Sequence, residues 1–184
     1  MVRRAQRLDA AAFEWFVDCY SARLYGFLFR LTGVRHDAEE LVQEVFVRMV
    51  RMIGQYEHDG RFEAWLFRIA TNLARDRIRR INRRPVTESL DEAGRDGHGG
   101  ARAGERNGHA ANDRPERRLE LAEDVDHLQL ALTRLPQAER EVIMLRHYGE
   151  MSFPEIAEMM GTPLGTALAR GHRGLAKLRD WMEP

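Results

Sequence analysis

The chain of 184 residues contains a single cysteine, Cys19. One cysteine excludes an internal disulfide framework and any metal site built from a cysteine cluster. The sequence also lacks an uninterrupted run of about eighteen apolar residues, the length that a membrane-spanning helix needs. No apolar signal-peptide segment follows the opening residues. We therefore expect a cytoplasmic protein with no membrane insertion, and we expect Cys19 to pack within an apolar helix.

The chain also lacks net charge, because 29 basic residues balance 29 acidic residues. The charges are nevertheless segregated along the sequence. Acidic residues cluster at 37–44 and 116–126, whereas residues 61–84 contain eight arginines, two acids and no lysine. The planar fork of arginine suits bidentate phosphate contacts better than lysine does. A neutral chain is expected to bind DNA weakly by itself, and the acidic clusters fit a protein partner.

Residues 65–84 carry the pattern that bears most directly on function. Four polar residues recur at helical spacing and share one face: Arg68, Asn72, Arg75 and Arg79. Apolar residues mark the opposite face: Leu66, Ile69, Leu73 and Ile78. Cations and an amide beside the indole of Trp65 can contact phosphates and base edges together, so this helix is predicted to bind nucleic acid. The alternative is a solvated basic helix, which normally interleaves acids at i,i+4.

Helical periodicity without any alternating strand pattern predicts an all-α protein. Residues 1–84 are predicted to hold helices at 13–31, 37–53 and 62–84, the first ending at Gly33. Residues 85–118 contain six glycines and few apolar side chains, so they are predicted to form a flexible linker. Within that linker, His98 and His109 are interpreted as solvated spacers rather than metal ligands.

Residues 119–184 predict a second helical domain. Ser152 and Glu155 have the spacing of a capping box, and Gly161 is predicted to end that helix. Thr162 is predicted to cap the last helix, with Pro163 at its first position. A short turn between these helices indicates a helix-turn-helix, for which a plain helical hairpin is the alternative.

Three segments, in this order, resemble the extracytoplasmic-function (ECF) group of bacterial sigma factors, which have only regions two and four. DAEELVQEVFVRMVR resembles the core-polymerase-binding helix, and FEAWLFRIATNLARDRIRR resembles the promoter-melting helix. LPQAEREVIMLRHYGEMSFPEIAEMMGTPLGTALAR resembles region four. The resemblance implies a transcription initiation factor, not an enzyme, with no cofactor or metal. The implied partners are core RNA polymerase (its β′ clamp helices and β flap), promoter DNA and an anti-sigma factor.

The resemblance also implies three sets of binding residues. The set for the polymerase β′ clamp is Glu40, Gln43, Glu44, Phe46, Val47 and Val50. The set for the −10 promoter element is Tyr56, Arg61, Trp65, Arg68, Asn72, Arg75, Arg79 and Arg80. The set for the −35 element is Thr166, Leu168, Ala169, Arg170, His172, Arg173 and Lys177. Within the second set, Tyr56 and Asn72 match positions that line the pocket for a flipped base, by stacking and by edge hydrogen bonds.

The last helix departs from the family pattern. Leu168 and Ala169 stand where the family commonly has a basic residue and a serine, and Gly171 and Gly174 replace a buried leucine and alanine. Each glycine costs about 1 kcal/mol of helix stability relative to alanine, so this helix is predicted to be marginal when isolated. Leu168 either contacts thymine methyl groups or turns inward to fill the space left by Gly171.

Other classes of function leave parts of the sequence unexplained. A repressor or activator that uses only the helix-turn-helix has no role for the basic helix or for DAEELVQE. A degenerate sigma-like protein that sequesters an anti-sigma factor is a further alternative, suggested by the altered last helix. An enzyme is disfavoured, because the sequence contains no HExxH motif, no phosphate-binding loop and no nucleophile with an associated base.

Overall fold

The computed structural model describes residues 1–57, 60–83 and 115–183, with side chains described from residue 124 onward in the last range. These residues form helices and no strand, which confirms the all-α prediction. The helices are α1 (Val2–Ala5), α2 (Ala10–Thr32), α3 (Arg35–Met52), α4 (Phe62–Arg83), α5 (Pro115–Arg134), α6 (Gln137–His147), α7 (Phe153–Met160) and α8 (Leu164–Met182), and a 3-10 turn (Ile53–Gln55) follows α3. Most of the predicted linker lies outside the described residues, and α5 begins at Pro115, within its predicted range.

The N-terminal domain is built from α2, α3 and α4, which pack against one another. Their apolar faces meet in a core whose largest fully buried side chains include Phe16, Phe27 and Phe67. The rings of Phe27 and Phe67 meet edge to face with 5.1 Å between centroids, a favourable aromatic geometry. As predicted, α2 ends at Gly33, which adopts the left-handed conformation with φ of 77°.

Cys19 does not pack in this core. The buried side of α2 is formed by residues such as Phe16, Tyr20 and Leu24, which recur every four positions. Cys19 lies off that stripe and is exposed, so the prediction that it packs within the helix is wrong. No helix in the described ranges is long and apolar enough to cross a membrane.

The C-terminal domain places α8 against α6 and α7. The predicted capping box is present at the start of α7, where the Ser152 N–H donates to Glu155 Oε2 at 2.8 Å and the Glu155 N–H donates to Ser152 Oγ at 3.5 Å. The hydrogen bonds that Ser152 donates hold the pKa of the Glu155 carboxyl below its ordinary value. Gly161 ends α7 with φ of 62°, also as predicted.

The predicted N-cap of the last helix is wrong by one residue. Helix α8 begins at Leu164, and Pro163 is the N-cap residue, without a side-chain hydrogen bond. The Thr162 N–H instead donates to the Ala157 carbonyl at 3.0 Å and completes the end of α7. Its hydroxyl is buried and finds no hydrogen-bond partner in the described part of the chain. Thr162 therefore belongs to the turn that closes α7.

The glycines of α8 are sites of close helix packing. A Cβ atom on Gly171 would lie 2.9 Å from Phe153 Cε1, and one on Gly174 would lie 2.7 Å from Ile143 Cδ1. Phe153 provides the atoms nearest to Gly171, and Leu168 is half-buried on α8. The helix propensity lost at these glycines is offset by the close approach of α8 to α6 and α7.

The two domains contact each other along α2, which packs against α5 and α6. The Arg140 guanidinium of α6 donates to the Leu31 carbonyl at 2.8 Å and to the carbonyls of Thr133 and Leu135 at 3.1 and 3.2 Å. It thereby joins the C-terminal ends of α2 and α5, where unpaired carbonyls need donors. Burial lowers the pKa of Arg140 from its ordinary value.

Replacing Gly174 with alanine tests the packing role of this glycine. Gly174→Ala should lower the free energy of unfolding by about 1 kcal/mol, because overpacking against Ile143 and Glu139 outweighs the gain in helix propensity. Gly165→Ala is the matched control, since a Cβ atom at that position of α8 meets nothing within 4 Å. Chemical denaturation of both variants measures the difference. A Gly174→Ala protein as stable as the Gly165→Ala control would contradict the packing role.

Candidate nucleic-acid interface

A pocket lies at the start of α4 and is lined by four residues of the predicted −10 set. They are Tyr56, Arg61, Trp65 and Arg68. The rings of Tyr56 and Trp65 lie 4.9 Å apart between centroids and are tilted by 41°. On its N-terminal-domain side the pocket thus combines two aromatic side chains with two guanidinium groups, the combination that suits an unpaired base with its phosphates. The rest of the wall comes from the C-terminal domain and includes Met151, Glu155 and Glu158.

Local structure explains how the two aromatic residues reach this position. Gln6 Nε2 donates to the Tyr56 carbonyl at 2.7 Å and to the Ile53 carbonyl at 3.2 Å, which fixes the turn after α3. Both rings contact the buried ring of Phe62, at 5.8 Å from Tyr56 and 5.5 Å from Trp65. Tyr56 and Trp65 are therefore half-buried: each is anchored on the core and still lines the pocket.

Three further residues of the predicted −10 set are exposed on α4 outside this pocket. Asn72, Arg79 and Arg80 are exposed on α4, together with Arg68. Asn72 is not among the residues that line the Tyr56–Trp65 pocket. The structure thus brings Tyr56 and Trp65 together but does not place the Asn72 amide in the same pocket.

Arg75 of this set forms a close ion pair with the C-terminal domain. Its Nη2 donates to Glu141 Oε2 at 2.6 Å, and its Nε lies 3.1 and 3.0 Å from the two carboxylate oxygens. The Glu141 side chain, from α6 of the other domain, is only 4% exposed. Gln137 Nε2 also donates to Glu141 at 2.9 Å. No short-range pattern in the sequence marks Glu141, because it lies 66 residues from Arg75.

A second arginine of α4 has a structural role in the N-terminal domain. Arg77 donates to Asp37 at 2.6 Å and to Glu40 at 2.7 Å, and so ties α4 to the start of α3. The hydrogen bond from Arg77 holds the pKa of the Glu40 carboxyl below its ordinary value. Besides Asp76 of α4 itself, which lies 3.5 Å from Arg79, acids of other helices therefore balance the charge of α4, which counting charges within residues 61–84 does not reveal.

Some residues of the predicted polymerase-binding set are exposed, and others are partly buried or already paired. Gln43, Val47 and Val50 are exposed on one face of α3, with Val47 43% and Val50 42% exposed. Phe46 is partly buried against the core. Glu40 is engaged by Arg77, and Glu44 accepts from Arg48 Nε at 2.9 Å. Both carboxylates of this predicted set thus already have arginine partners within the N-terminal domain.

The predicted −35 set lies on α8, whose buried side consists of Ala167, Gly171, Gly174 and Leu178. His172 and Arg173 are exposed, and the remaining members are half-buried: Thr166, Leu168, Ala169, Arg170 and Lys177. Glu139 of α6, itself buried, accepts from Lys177 Nζ at 2.9 Å and from Arg173 Nε at 3.4 Å. Glu139 is a further residue that sequence analysis missed, because its partners lie 34 and 38 residues away.

Comparison with known families matches both domains. The Sigma-70 region 2 family matches residues 16–84, and the Sigma-70 region 4 family matches residues 126–178.

In the described ranges, no group of three or more His, Cys, Asp or Glu side chains is arranged to hold a metal ion.

Individual proteins are similar over nearly the whole chain. The ECF RNA polymerase sigma factor SigW of Bacillus subtilis is 33% identical over 97% of this chain and 92% of its own length. The ECF RNA polymerase sigma factor SigE of Mycolicibacterium smegmatis is 36% identical over 95% of this chain and 63% of its own length. The solved structure of CnrH in complex with the cytosolic domain of CnrY aligns with a TM-score of 0.64 and 26% identity, covering 97% of this chain and 92% of CnrH. The chain therefore belongs to the ECF group of RNA polymerase sigma factors.

Proposed function

We propose that this chain binds core RNA polymerase through the exposed face of α3 and holds unpaired −10 bases at the start of α4. Helix α8 then contacts the −35 element in duplex DNA. The observation that supports this best is the pocket in which Tyr56 and Trp65 lie beside Arg61 and Arg68. The chain forms no covalent bond with the DNA; it selects the start site through binding energy.

The −10 contact rests on stacking and charge. A base that leaves the duplex can stack on Tyr56 or Trp65, and each such contact contributes about 1–3 kcal/mol. Arg61 and Arg68 then meet the adjoining phosphates. Asn72 lies beyond the pocket, one helical turn after Arg68, so its amide is proposed to meet the strand outside the stacking site. This contact favours separated strands, since a paired base cannot enter the pocket.

The polymerase contact rests on Gln43, Val47 and Val50. Two exposed valines on one face of a helix form an apolar patch that a protein partner can cover. Glu40 and Glu44 lie beside this patch with their carboxylates held by Arg77 and Arg48. We propose that the apolar contact supplies most of the affinity and that the ordered carboxylates orient the partner.

The −35 contact rests on His172 and Arg173 of α8, with Lys177 at its edge. Glu139 holds Lys177 and lies near Arg173, so these two cations are ordered before DNA arrives. The half-buried Leu168 is left to contact apolar groups such as thymine methyls.

A protein inhibitor is a further proposed partner. CnrH, which is similar over nearly all of this chain, was solved with the cytosolic domain of CnrY bound to it. This supports a protein that binds the sigma factor as a partner, and we propose that it is an anti-sigma factor acting in the bacterial cytoplasm.

Transcription reconstituted from core polymerase and this chain tests the function directly. Sequencing the transcripts should reveal start sites that core polymerase alone does not use. A repressor that acts through its helix-turn-helix alone should not bind core polymerase, and a protein that merely sequesters an inhibitor should give no new start sites. A chain that does not bind core polymerase, or one that binds it but gives no new start sites, would refute the proposed function.

Replacing Val47 with lysine tests the polymerase contact. Val47→Lys should weaken core polymerase binding by about tenfold or more, because the lysine would bury an unpaired charge in the contact with polymerase. Val17→Lys is the matched control, since Val17 is 42% exposed on α2, outside the proposed face. Affinity is measured by titration of labelled core enzyme. Equal affinities for the two variants would remove α3 from the contact.

Replacing Trp65 with alanine tests the −10 pocket. Trp65→Ala should leave polymerase binding near normal but lower the stability of the open promoter complex by about 1–3 kcal/mol, through lost stacking. Permanganate reactivity of unpaired thymines measures the open complex. Trp15→Ala is the control, because Trp15 is also a partly exposed indole but lies on α2. If Trp65→Ala matched wild type in permanganate reactivity, the stacking role would be untenable.

Replacing Arg173 with alanine tests the −35 contact. Arg173→Ala should weaken binding of the holoenzyme to −35 duplex DNA and reduce the slope of log affinity against log salt by about 0.9, the loss of one phosphate contact. Arg179→Ala is the control, since Arg179 is an exposed arginine on the same helix outside the proposed set. Identical salt slopes for the two variants would argue against a DNA contact by Arg173.

A further inference from the structure

The proposed −10 surface is partly covered by the chain's own C-terminal domain. Glu141 of α6 pairs with Arg75 through Nε and Nη2, at distances of 2.6–3.1 Å. Side by side, these two nitrogens form the fork with which arginine also binds phosphate. Arg75 follows Asn72 by three residues on the same face of α4. A carboxylate of one domain thus occupies the guanidinium group with which the other domain would meet the DNA backbone.

The pocket itself is also faced by acids from the C-terminal domain. Glu155 and Glu158 of α7 line it opposite Tyr56 and Trp65. Glu158 Oε2 lies 3.9 Å from Arg61 Nη1, a distance typical of a weak, solvent-exposed pair. The part of the pocket wall that the C-terminal domain provides therefore carries negative charge in this arrangement.

Shape complementarity between the domains supports a defined contact. The Tyr148 ring lies so close to α2 that a Cβ atom on Gly26 would be 2.7 Å from its Cε1. Arg23 Nη2 donates to the Tyr148 carbonyl at 2.6 Å, and Arg30 Nε donates to the Tyr148 hydroxyl at 3.3 Å. Gly26 therefore provides the space into which the C-terminal domain inserts Tyr148.

We infer that the C-terminal domain is an intramolecular occupant of the −10 surface, in which Glu141 takes the place of a DNA phosphate on Arg75. This inference rests on the proposed function of α4. The closed arrangement and the DNA strand compete for the same guanidinium group, so α4 becomes fully available only when the domains separate. The apparent affinity of the isolated chain for single-stranded DNA is then reduced by the fraction of molecules that are closed.

The distance between the domains is measured in the full chain by pulsed dipolar spectroscopy. One spin label is attached to Cys19, the single cysteine, which is exposed on α2. The other is attached to an Arg179→Cys variant, since Arg179 is exposed on α8. When the residues of the domain interface are unchanged, the two labels should give one short, narrow distance distribution.

Two substitutions in the interface should open the chain by different means. Glu141→Gln removes the charge that holds Arg75, and Gly26→Leu places a side chain where the Tyr148 ring lies. Leucine is a better helix former than glycine, so Gly26→Leu should leave α2 folded, which circular dichroism verifies. The matched controls are Asp126→Asn, an exposed carboxylate of α5, and Gly54→Leu, where a Cβ atom meets nothing within 4 Å.

Binding is measured with a fluorescein-labelled single-stranded oligonucleotide of mixed sequence, without polymerase. Both interface variants should show longer distances and an affinity about fivefold or more above that of the controls, as expected when a closed state is depopulated. Unchanged distances in both variants would overturn the inference. Longer distances without a gain in affinity would overturn the competition with DNA.

Failure of the proposed function is distinguishable from failure of this inference. The distance measurement uses neither DNA nor polymerase, whereas the start-site assay uses the assembled holoenzyme. A holoenzyme that selects start sites while the interface variants keep the wild-type distance refutes the intramolecular contact alone. A holoenzyme without start-site selectivity refutes the function and with it the basis of the competition.

Discussion

Each acid that is buried in the described residues is held by cations of the two helices that are proposed to contact DNA. Asp37 pairs with Arg77 and Glu141 with Arg75, both on α4, while Glu139 pairs with cations of α8. A carboxylate removed from water loses several kcal/mol of hydration, so it requires a well-placed cation in return. The packing of the helices therefore depends on basic side chains of the helices that are proposed to contact DNA, and Arg75 and Lys177 among them belong to the proposed DNA-binding sets.

This constraint gives a physical meaning to the absence of net charge. A sigma factor with many uncompensated arginines would bind any DNA, because non-specific affinity follows the number of phosphates neutralised. Here Arg75 and Arg77 are engaged by carboxylates of other helices, and Arg79 lies 3.5 Å from Asp76 of its own helix. Arg68, Arg79 and Arg80 are exposed on α4. The cations left for DNA are few, so stacking in the pocket and attachment to polymerase have to supply the rest of the affinity.

Local patterns in the sequence predicted the helices well and their mutual contacts poorly. Apolar spacing located α2, α3 and α4, and the Ser152–Glu155 spacing located the start of α7, because each signal lies within one or two helical turns. The pairing of Arg75 with Glu141 spans 66 residues and leaves no trace in any short window. Propensity alone also does not reveal the packing at Gly171 and Gly174, because it depends on Phe153 and Ile143 in other helices.

Tyr56 and Trp65 contact the hydrophobic core and line the candidate pocket at the same time. Both rings pack on Phe62, which is buried, and both line the open pocket. Contact with the core restricts their rotation before any base arrives, so stacking costs less conformational entropy than it would for a free surface side chain. Half-burial is thus what makes the aromatic pair suited to capture a base. The same argument applies to Lys177, which the buried Glu139 orders on α8 in advance of a DNA contact.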